Sequence, residues 1–279
     1  AASISASMGE GGRITGWQAR IATPATVSQV TSRLAGAADP SGKSDPAMAD
    51  GAVPPYDIPS VAIDLLPADT GLRTGFWRSG AHSYTAFFTE SFIDELARKA
   101  GIEPLSFRMQ MLGGNTRLAQ CLSTAAALGG WDGGGAGSRM GLAAHSAFGS
   151  HIGLLIEAEF DALRRVRVNR AVAAVDCGRV VNPTIVGQLI EGGIMHGIAA
   201  AAGRPISFQG GLPSAKAFSD LGLPRLADSP EVSVEIIPSQ EPPGGVTELG
   251  VPPVAPALAN ALFASTGRRL RTLPLGGAR

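Results

Sequence analysis

The chain has 279 residues, 44% of them hydrophobic, which is enough apolar material for one large or two ordinary domains. Lysine and arginine (23) equal aspartate and glutamate (23), so the formal charge of zero argues against a nucleic-acid or polyanion partner. Glycine (37) and proline (20) are abundant while aromatic residues are scarce (5%), a composition typical of a loop-rich globular protein.

The two cysteines, Cys121 and Cys177, are too few to supply the four ligands of an ordinary iron–sulfur cluster, and their spacing is not that of a CxxC site. We expect buried free thiols, although a disulfide between them remains an open alternative. No apolar run reaches about 18 residues, so we predict neither a transmembrane helix nor a signal peptide. Because the chain begins at Ala1, within a strand-like pattern, we expect a fragment, a processed chain or a truncated version, and we leave the compartment open.

The N-terminal part predicts strands on either side of a poorly ordered loop. Residues 2–8 and 14–21 alternate apolar and small polar side chains, the pattern of a β-hairpin. A short helix is expected near 27–34. Residues 35–55 are rich in small and polar residues without periodicity, which predicts a mobile loop, and residues 56–66 predict a further strand.

Three helical segments follow. Residues 87–97 place apolar side chains on one face of an amphipathic helix, with Thr85 or Thr89 as its N-cap. Further helices are expected at 105–112 and 118–128. Arg78 and Ser79 lie just before the helix predicted at 87–97, where they suit an anion-binding site. The alternative is a structural arginine stacked on Trp77.

The remainder of the chain alternates strands and helices. We therefore predict an α+β fold of mixed sheets with helices packed on one face, divided into a first segment (1–135) and a C-terminal domain (136–279). The predicted strands of the second part are 142–148, 152–160, 166–175 and 232–237, and its helices are 186–202 and 256–266.

The most informative stretch is 241–253, in which three glycines and four prolines flank the carboxylate of Glu248. Such a segment is neither helix nor strand. Glycine allows the backbone to approach a ligand closely, and proline stiffens the loop, so the setting suits a catalytic carboxylate that has to be held still. The alternative is a solvated surface glutamate.

Three segments of the chain match one family. They are Gly-Val-Thr-Glu-Leu-Gly-Val-Pro-Pro-Val-Ala-Pro-Ala-Leu-Ala-Asn at 245–260, Phe-Trp-Arg-Ser-Gly at 76–80, and Val-Asp-Cys-Gly-Arg-Val-Val-Asn-Pro at 175–183 followed by Gln188. Together they resemble the molybdenum hydroxylases, the family of xanthine dehydrogenase and aldehyde oxidase. The branch they are most similar to is the isoquinoline 1-oxidoreductase β-subunit and bacterial aldehyde dehydrogenase type, in its C-terminal portion.

The resemblance implies that Glu248 is the general base beside the molybdenum. The other implied site residues form a cofactor-binding group, Trp77, Arg78, Ser79 and Gln188, and a substrate pocket, Gly80, His145 and Phe148.

Three positions depart from the family pattern. Thr247 stands where glycine is usual, Gly80 where xanthine-oxidising members have an aromatic residue, and His196 where a second glutamine is common. The change at Gly80 implies a pocket that is wider or is shaped by His82. The spacing of the histidines fits no zinc pattern.

The implied reaction is hydroxylation of an aldehyde or N-heteroaromatic carbon, with water as the source of oxygen. The implied cofactor is molybdopterin with molybdenum, in its cytosine dinucleotide form. Since the cysteines of this chain cannot hold iron–sulfur clusters, the clusters that accept the electrons are expected on a partner subunit.

The family's glycine-rich cofactor segments that precede these motifs do not occur in this sequence. We therefore expect the missing N-terminal part of the large subunit, in the same or another chain, to complete the cofactor site. The alternatives are a natural split subunit, an isolated or degenerate C-terminal domain, and a non-catalytic binding module.

Overall fold

The N-terminal sheet has three strands. The computed structural model describes residues 1–38 and 44–277. Strands β1 (Ala2–Met8) and β2 (Ile14–Thr23) pair antiparallel, and β3 (Ser60–Pro67) pairs parallel to β2. The predicted hairpin is confirmed.

The strand predicted from residue 56 begins at Ser60 because the residues before it are bound elsewhere. The N–H of Asp57 donates to the carbonyl of Met111 (2.8 Å), and its carboxylate accepts from the N–H of Gly114 (2.9 Å). These bonds tie the segment to the turn at residues 111–114 instead of to the sheet.

Helix α1 (Thr26–Leu34) lies where a short helix is predicted. In the loop that follows, residues 39–43 lie outside the described residues. The later part of this loop contains a 3₁₀ turn, Pro46–Ala49, that is bound to α1, because the Asp45 carboxylate accepts from the N–H of Ser28 (2.8 Å).

Helix α2 (His82–Ala100) begins earlier than predicted, and this makes the expected caps wrong. Thr85 and Thr89 lie inside the helix, where their hydroxyls donate to the carbonyls of Ala81 (3.0 Å) and Thr85 (3.0 Å). The predicted helices after α2 are confirmed as α3 (Pro104–Met109) and α4 (Thr116–Gly129).

The C-terminal part contains a second sheet, a two-stranded hairpin and two long helices. The elements are β4 (Met140–Ala147), β5 (Ser150–Phe160), β6 (Val166–Asp176), α5 (Pro183–Ala202), β7 (Phe208–Gln209), β8 (Leu212–Pro213), β9 (Glu231–Ile236) and α6 (Val254–Thr266). The second sheet has four strands in the order β4–β5–β6–β9, with β9 parallel to β6 and the other pairs antiparallel.

The α+β prediction is confirmed, but helices cover both faces of the second sheet instead of the one face expected. A Cβ on Gly141 would lie 2.1 Å from the carbonyl oxygen of Ala257 in α6, whereas a Cβ on Gly153 would lie 2.6 Å from the backbone of Cys121 in α4. Strand β5 is buried on both faces, so each face needs its own helix.

One buried cluster joins parts of the chain from before and after residue 135. It includes Trp17 and Leu118 together with Leu142, Leu155 and Val172. The division into 1–135 and 136–279 stays a prediction.

Helix α5 is long and apolar enough to cross a membrane by length and composition alone, which the search for an apolar run did not detect. Core helices of globular proteins meet the same criterion. Within the described residues α5 packs against other parts of the chain: a Cβ on Gly197 would lie 2.8 Å from the side chain of Val254.

A buried ion pair joins α2, α3 and β4. The fully buried Arg108 donates from Nε to the Glu90 carboxylate (2.9 Å), which also accepts from the Tyr56 hydroxyl (2.5 Å) and the Ala144 N–H (3.0 Å). Burial, with the Glu90 charge beside it, raises the pKa of Tyr56, so the phenol remains a donor. The carboxylate is thus held by three donors from three different segments.

We expect Arg108→Met to lower the free energy of unfolding by about 3–5 kcal/mol, because the variant leaves the Glu90 charge buried without its cation. Urea denaturation checks this. The matched control is Arg20→Met, since Arg20 and Asp64 form an exposed pair at 3.8 Å and the change should be close to zero. Equal effects of the two variants would contradict the structural importance of the buried pair.

Candidate active site

The loop that contains Glu248 lies across the turn between β4 and β5. The N–H of Gly244 donates to the carbonyl of Cys177 (2.9 Å), and the N–H of Gly245 donates to the carbonyl of Phe148 (2.8 Å). A Cβ on Gly244 would lie 2.3 Å from the hydroxyl of Ser150. Glycine is therefore required for this approach, as the composition of the loop suggests.

The same loop contacts α5 on its other side. A Cβ on Gly193 would lie 2.9 Å from the Cα of Gly250, and a Cβ on Gly250 would lie 2.5 Å from the carbonyl oxygen of Ile190. Backbone meets backbone here without an intervening side chain. Glu248 therefore lies two residues before a point where the loop is held against the helix.

Arg78 and Ser79 fix the backbone at Glu248. The Arg78 guanidinium donates to the carbonyls of Thr247 (Nε, 2.9 Å) and Leu189 (Nη2, 3.2 Å), so one cation joins the loop to α5. The Ser79 hydroxyl, which is 1% exposed, donates to the carbonyl of Glu248 (2.5 Å). Arg78 therefore acts as a clamp on the loop. This describes its contacts better than stacking on Trp77 or a free anion site does.

The carboxylate of Glu248 is half-buried and, within the described part of the chain, makes no hydrogen bond or ion pair. Its charge acts on His82, whose pKa it raises against the larger lowering by burial. A carboxylate on an immobilised backbone with a free side chain is available to a ligand.

His82 and His145 form a pair that no sequence motif indicates. Nδ1 of His82 lies 2.9 Å from Nε2 of His145, and the rings meet edge-on at 5.1 Å. The ring of Phe148 lies 5.0 Å from that of His82. His145 is 3% exposed, so of the three predicted pocket residues it lies behind His82, while Phe148 is exposed beside it.

Gly51 closes the pair from the side of the long loop. Its φ of +75° is in the left-handed region, and a Cβ there would lie 2.4 Å from Nδ1 of His82 and 3.1 Å from Cε1 of His145. Only glycine fits this position without displacing a ring.

Burial keeps the histidine pair neutral. It lowers the pKa of His145 to about 3, with the neighbouring His82 adding to the effect. Burial also lowers the pKa of His82, with Asp50 and Glu248 opposing. Both rings are therefore uncharged at neutral pH.

A second aromatic contact lies on the α5 side of Arg78. The exposed ring of Trp77 lies 4.9 Å from that of His196, and Nε2 of His196 is buried without a hydrogen-bond partner among the described residues. Buried polar atoms normally have a partner, so this nitrogen is an unsatisfied polar atom next to Trp77. The pKa of His196 is lowered by burial and by Arg78.

The other predicted site residues lie around these contacts. Gln188 is exposed on α5, next to Leu189, whose carbonyl binds Arg78. Gly80 has φ +49°, and a Cβ there would meet no atom within 4 Å. The structure therefore brings Trp77, Arg78, Ser79, Gly80, His145 and Phe148 close to Glu248 or to residues that hold its loop.

Sequence reasoning missed the His82–His145 pair and the role of Gly51. No local signal could have found them, because 63 positions separate the two histidines. The aspartate–glycine step at 50–51 is the one hint, and it lies in a segment that composition assigned to a mobile loop.

No group of three or more His, Cys, Asp or Glu side chains that could hold a metal ion occurs in residues 1–38 and 44–277. Both cysteines are free and buried, as expected. Two depressions, of about 320 and 290 Å³, lie elsewhere, at the β6–β9 edge and at the end of α6. Neither contains a predicted site residue, so we place the site by its chemistry instead of by concavity.

Parts of this chain are similar in sequence to known proteins. The family described as "Molybdopterin cofactor-binding domain" matches residues 131–230. The β subunit of isoquinoline 1-oxidoreductase from Brevundimonas diminuta is 30% identical over 239 residues, which is 84% of this chain and 30% of that protein. Over most of its length the chain is therefore similar in sequence to a molybdenum hydroxylase subunit, and residues 131–230 match the cofactor-binding family.

A second curated protein is also similar to this chain. A membrane-bound aldehyde dehydrogenase of Gluconacetobacter polyoxogenes is 26% identical over 79% of this chain and 32% of that protein. The chain spans about a third or less of the length of these curated relatives.

Solved structures show the same fold. Aldehyde oxidoreductase from Desulfovibrio desulfuricans matches with a TM-score of 0.73 at 12% identity, over 98% of this chain and 47% of that one. Quinoline 2-oxidoreductase from Pseudomonas putida 86 matches with a TM-score of 0.72 at 11% identity, over 95% of this chain and 59% of that one.

Because the pKa of His145 is lowered from 6.5 to about 3, its neutral form stabilises the fold fully above pH 6.5. As pH falls below 6.5 the unfolded chain binds a proton that the folded chain does not, so stability is lost until about pH 3. We expect this group to contribute a slope of up to about 1.4 kcal/mol per pH unit.

The check is urea denaturation at pH 7, 6, 5 and 4 for the wild type and His145→Gln. The neutral amide should remove this part of the slope, so the stability of the variant relative to the wild type should rise as pH falls. The comparison isolates His145, since the pKa values of His82, His151 and His196 are also lowered and these residues titrate in both proteins. Parallel curves would show that His145 is not held neutral.

Arg78→Met should free the loop 244–251 without unfolding the protein. Charged hydrogen bonds of this kind are worth about 1.5–3 kcal/mol, so amide hydrogen exchange in that loop should be about tenfold faster or more. The control is Arg179→Met, because the Arg179 side chain is exposed beside the same loop. If exchange does not change in the first variant, Arg78 does not clamp the loop.

Proposed function

We propose that this chain forms part of the active site of a molybdenum-cofactor oxidoreductase that hydroxylates an aldehyde or an N-heteroaromatic carbon. Glu248 is its general base, and water supplies the oxygen. The observation that supports this most directly is the half-buried, unpartnered carboxylate of Glu248 on a backbone clamped by Arg78 and Ser79.

The residues present fit a molybdopterin. His196 offers a buried nitrogen without a partner, Trp77 offers an exposed ring beside it, and Gln188 offers an exposed amide on the same helix. These are hydrogen-bonding and stacking groups that suit an organic cofactor. The described residues provide no cluster of metal ligands, so they fit a metal held by its own organic ligand.

Arg78 and Ser79 act on this site through the loop. Their side-chain donors are directed at carbonyls of the protein, so we assign them the positioning of Glu248 in addition to their predicted contact with the cofactor. A base held in this way keeps its geometry without rearrangement at the moment of reaction.

The bound molybdenum cofactor, in the cytosine dinucleotide form, would supply the acceptor for the two electrons of the oxidation. Glu248 takes up the proton released when the oxygen of water is transferred to the substrate carbon. A Cβ on Gly80 would meet no atom within 4 Å, and the open space there suits a planar substrate.

Other parts of the enzyme have to complete this site. Since the chain spans about a third or less of its curated relatives, we assign the rest of the cofactor cradle to the N-terminal part of the large subunit. Cys121 lies in α4 and Cys177 directly follows β6, and both are free and buried, so we assign the iron–sulfur clusters to a partner subunit.

Glu248→Gln should lower kcat by about 10²–10⁴-fold in the assembled enzyme, because the amide cannot accept the proton. Turnover with isoquinoline and with benzaldehyde, and molybdenum content by elemental mass spectrometry, are measured together. Molybdenum should remain at the wild-type level. The control, Glu241→Gln, changes an exposed carboxylate of the same loop and should have wild-type turnover.

Two results would contradict the proposal. Wild-type turnover in Glu248→Gln would exclude the base. Absence of molybdenum from the assembled wild-type protein would leave a domain without catalytic function.

A further inference from the structure

His82 offers a ring nitrogen that the described residues do not use. Its Nδ1 is engaged with Nε2 of His145 at 2.9 Å, and no hydrogen bond from the described part of the chain reaches its Nε2. His82 is half-buried, so its ring is neither fully enclosed in the core nor fully exposed to solvent.

The position of the ring is fixed from several directions. The N–H of His82 donates to the carbonyl of Ser79 (3.1 Å), which sets the start of α2. His145 holds Nδ1, the ring of Phe148 lies edge-on at 5.0 Å, and Gly51 leaves no room behind the ring. Binding sites determine specificity with a few polar groups held in fixed positions, and the ring of His82 is held in this way.

The supports of His82 also hold Glu248. Ser79 accepts from the N–H of His82 and donates its hydroxyl to the carbonyl of Glu248. Phe148 contacts the ring of His82 and accepts from the N–H of Gly245 in the Glu248 loop. Nε2 of His82 and the carboxylate of Glu248 are therefore two unpartnered polar groups of one rigid site.

The bond between the two rings determines which nitrogen of His82 has the proton. Both rings are neutral, so this bond contains one proton, and either ring can provide it. If His145 donates from its Nε2, Nδ1 of His82 is the acceptor and the proton of His82 is on its own Nε2. This nitrogen has no acceptor among the described residues and is then a donor available to a ligand.

We propose that His82 is a substrate-binding residue that determines specificity, with Nε2–H donating to the carbonyl oxygen of an aldehyde or to the ring nitrogen of an N-heteroaromatic substrate. His145 is a positioning residue that selects this tautomer. The inference rests on the proposed function for the class of substrate. It adds a hydrogen-bond donor that strengthens the binding of a substrate with an acceptor atom and does not strengthen the binding of a hydrocarbon of the same shape.

The test uses the full chain labelled with ¹⁵N and the imidazole signals in long-range ¹⁵N–¹H spectra. We expect the signals of His82 to show the proton on Nε2. Isoquinoline should shift the Nε2 signal, whereas naphthalene, which has the same shape without the nitrogen, should not. Titration should give about a fivefold preference for isoquinoline, the size of one neutral hydrogen bond.

Two variants separate the roles of Nδ1 and Nε2 of His82, and a third is the control. His82→Gln places an amide donor near the site of Nε2 and should keep part of the preference. His82→Asn places its amide near Nδ1 and should lose the preference while still binding naphthalene as the wild type does. His151→Gln is the control, since His151 binds Ser146 (2.8 Å) on the other face of the sheet, and it should change nothing.

A proton on Nδ1 of His82 would overturn the proposal. Equal shifts with the two probes, or no shift with either, would also overturn it. The experiment needs neither cofactor nor turnover, so its failure is distinct from failure of the Glu248 test. If the probe preference holds while Glu248→Gln remains active, His82 binds ligand and only the base is wrong.

Discussion

The buried ion pair between Glu90 and Arg108 is the constraint on which the site depends. Taking two charges out of water costs several kcal/mol each, so the pair is tolerated only because Tyr56 and the Ala144 N–H complete the carboxylate's hydrogen bonds. Those bonds set α2 against β4. Because His82 begins α2 and His145 follows Ala144, this contact brings the two histidines together.

The loop of Glu248 is held by a different kind of interaction. Its glycines touch the β4–β5 turn and α5 directly, and Arg78 binds carbonyls of both the loop and the helix. The cation is satisfied by backbone, so it fixes geometry without neutralising the carboxylate. Ser79 connects the two systems, since it contacts both Glu248 and His82. A rigid base beside a rigid donor is what a pre-organised active site requires.

Local patterns allowed much of the fold to be predicted. Alternation predicts β1 and β2. The helix predicted at 186–202 begins at Pro183 in the structure, where the side chain of Asn182 accepts from the N–H of Ile185 (3.1 Å). The start of α2 was predicted too far along the chain. Thr85 and Thr89 are residue types that often cap helices, but packing places them inside the helix. The clamp role of Arg78 and the histidine pair depend on contacts between distant segments, which no spacing reveals. Glu248 was found through its family resemblance, and its surroundings came from the structure.

In the proposed enzyme, the 241–253 loop holds Glu248 against a molybdopterin centre. The most direct measurement is an anomalous-difference map at the molybdenum absorption edge, from crystals of the cofactor-loaded protein assembled with its partner subunits. We predict one peak beside the carboxylate of Glu248, on the side of Gly80 and His82, with Arg78 still bound to the carbonyl of Thr247. A peak remote from Glu248, in protein that turns over, would contradict the claim.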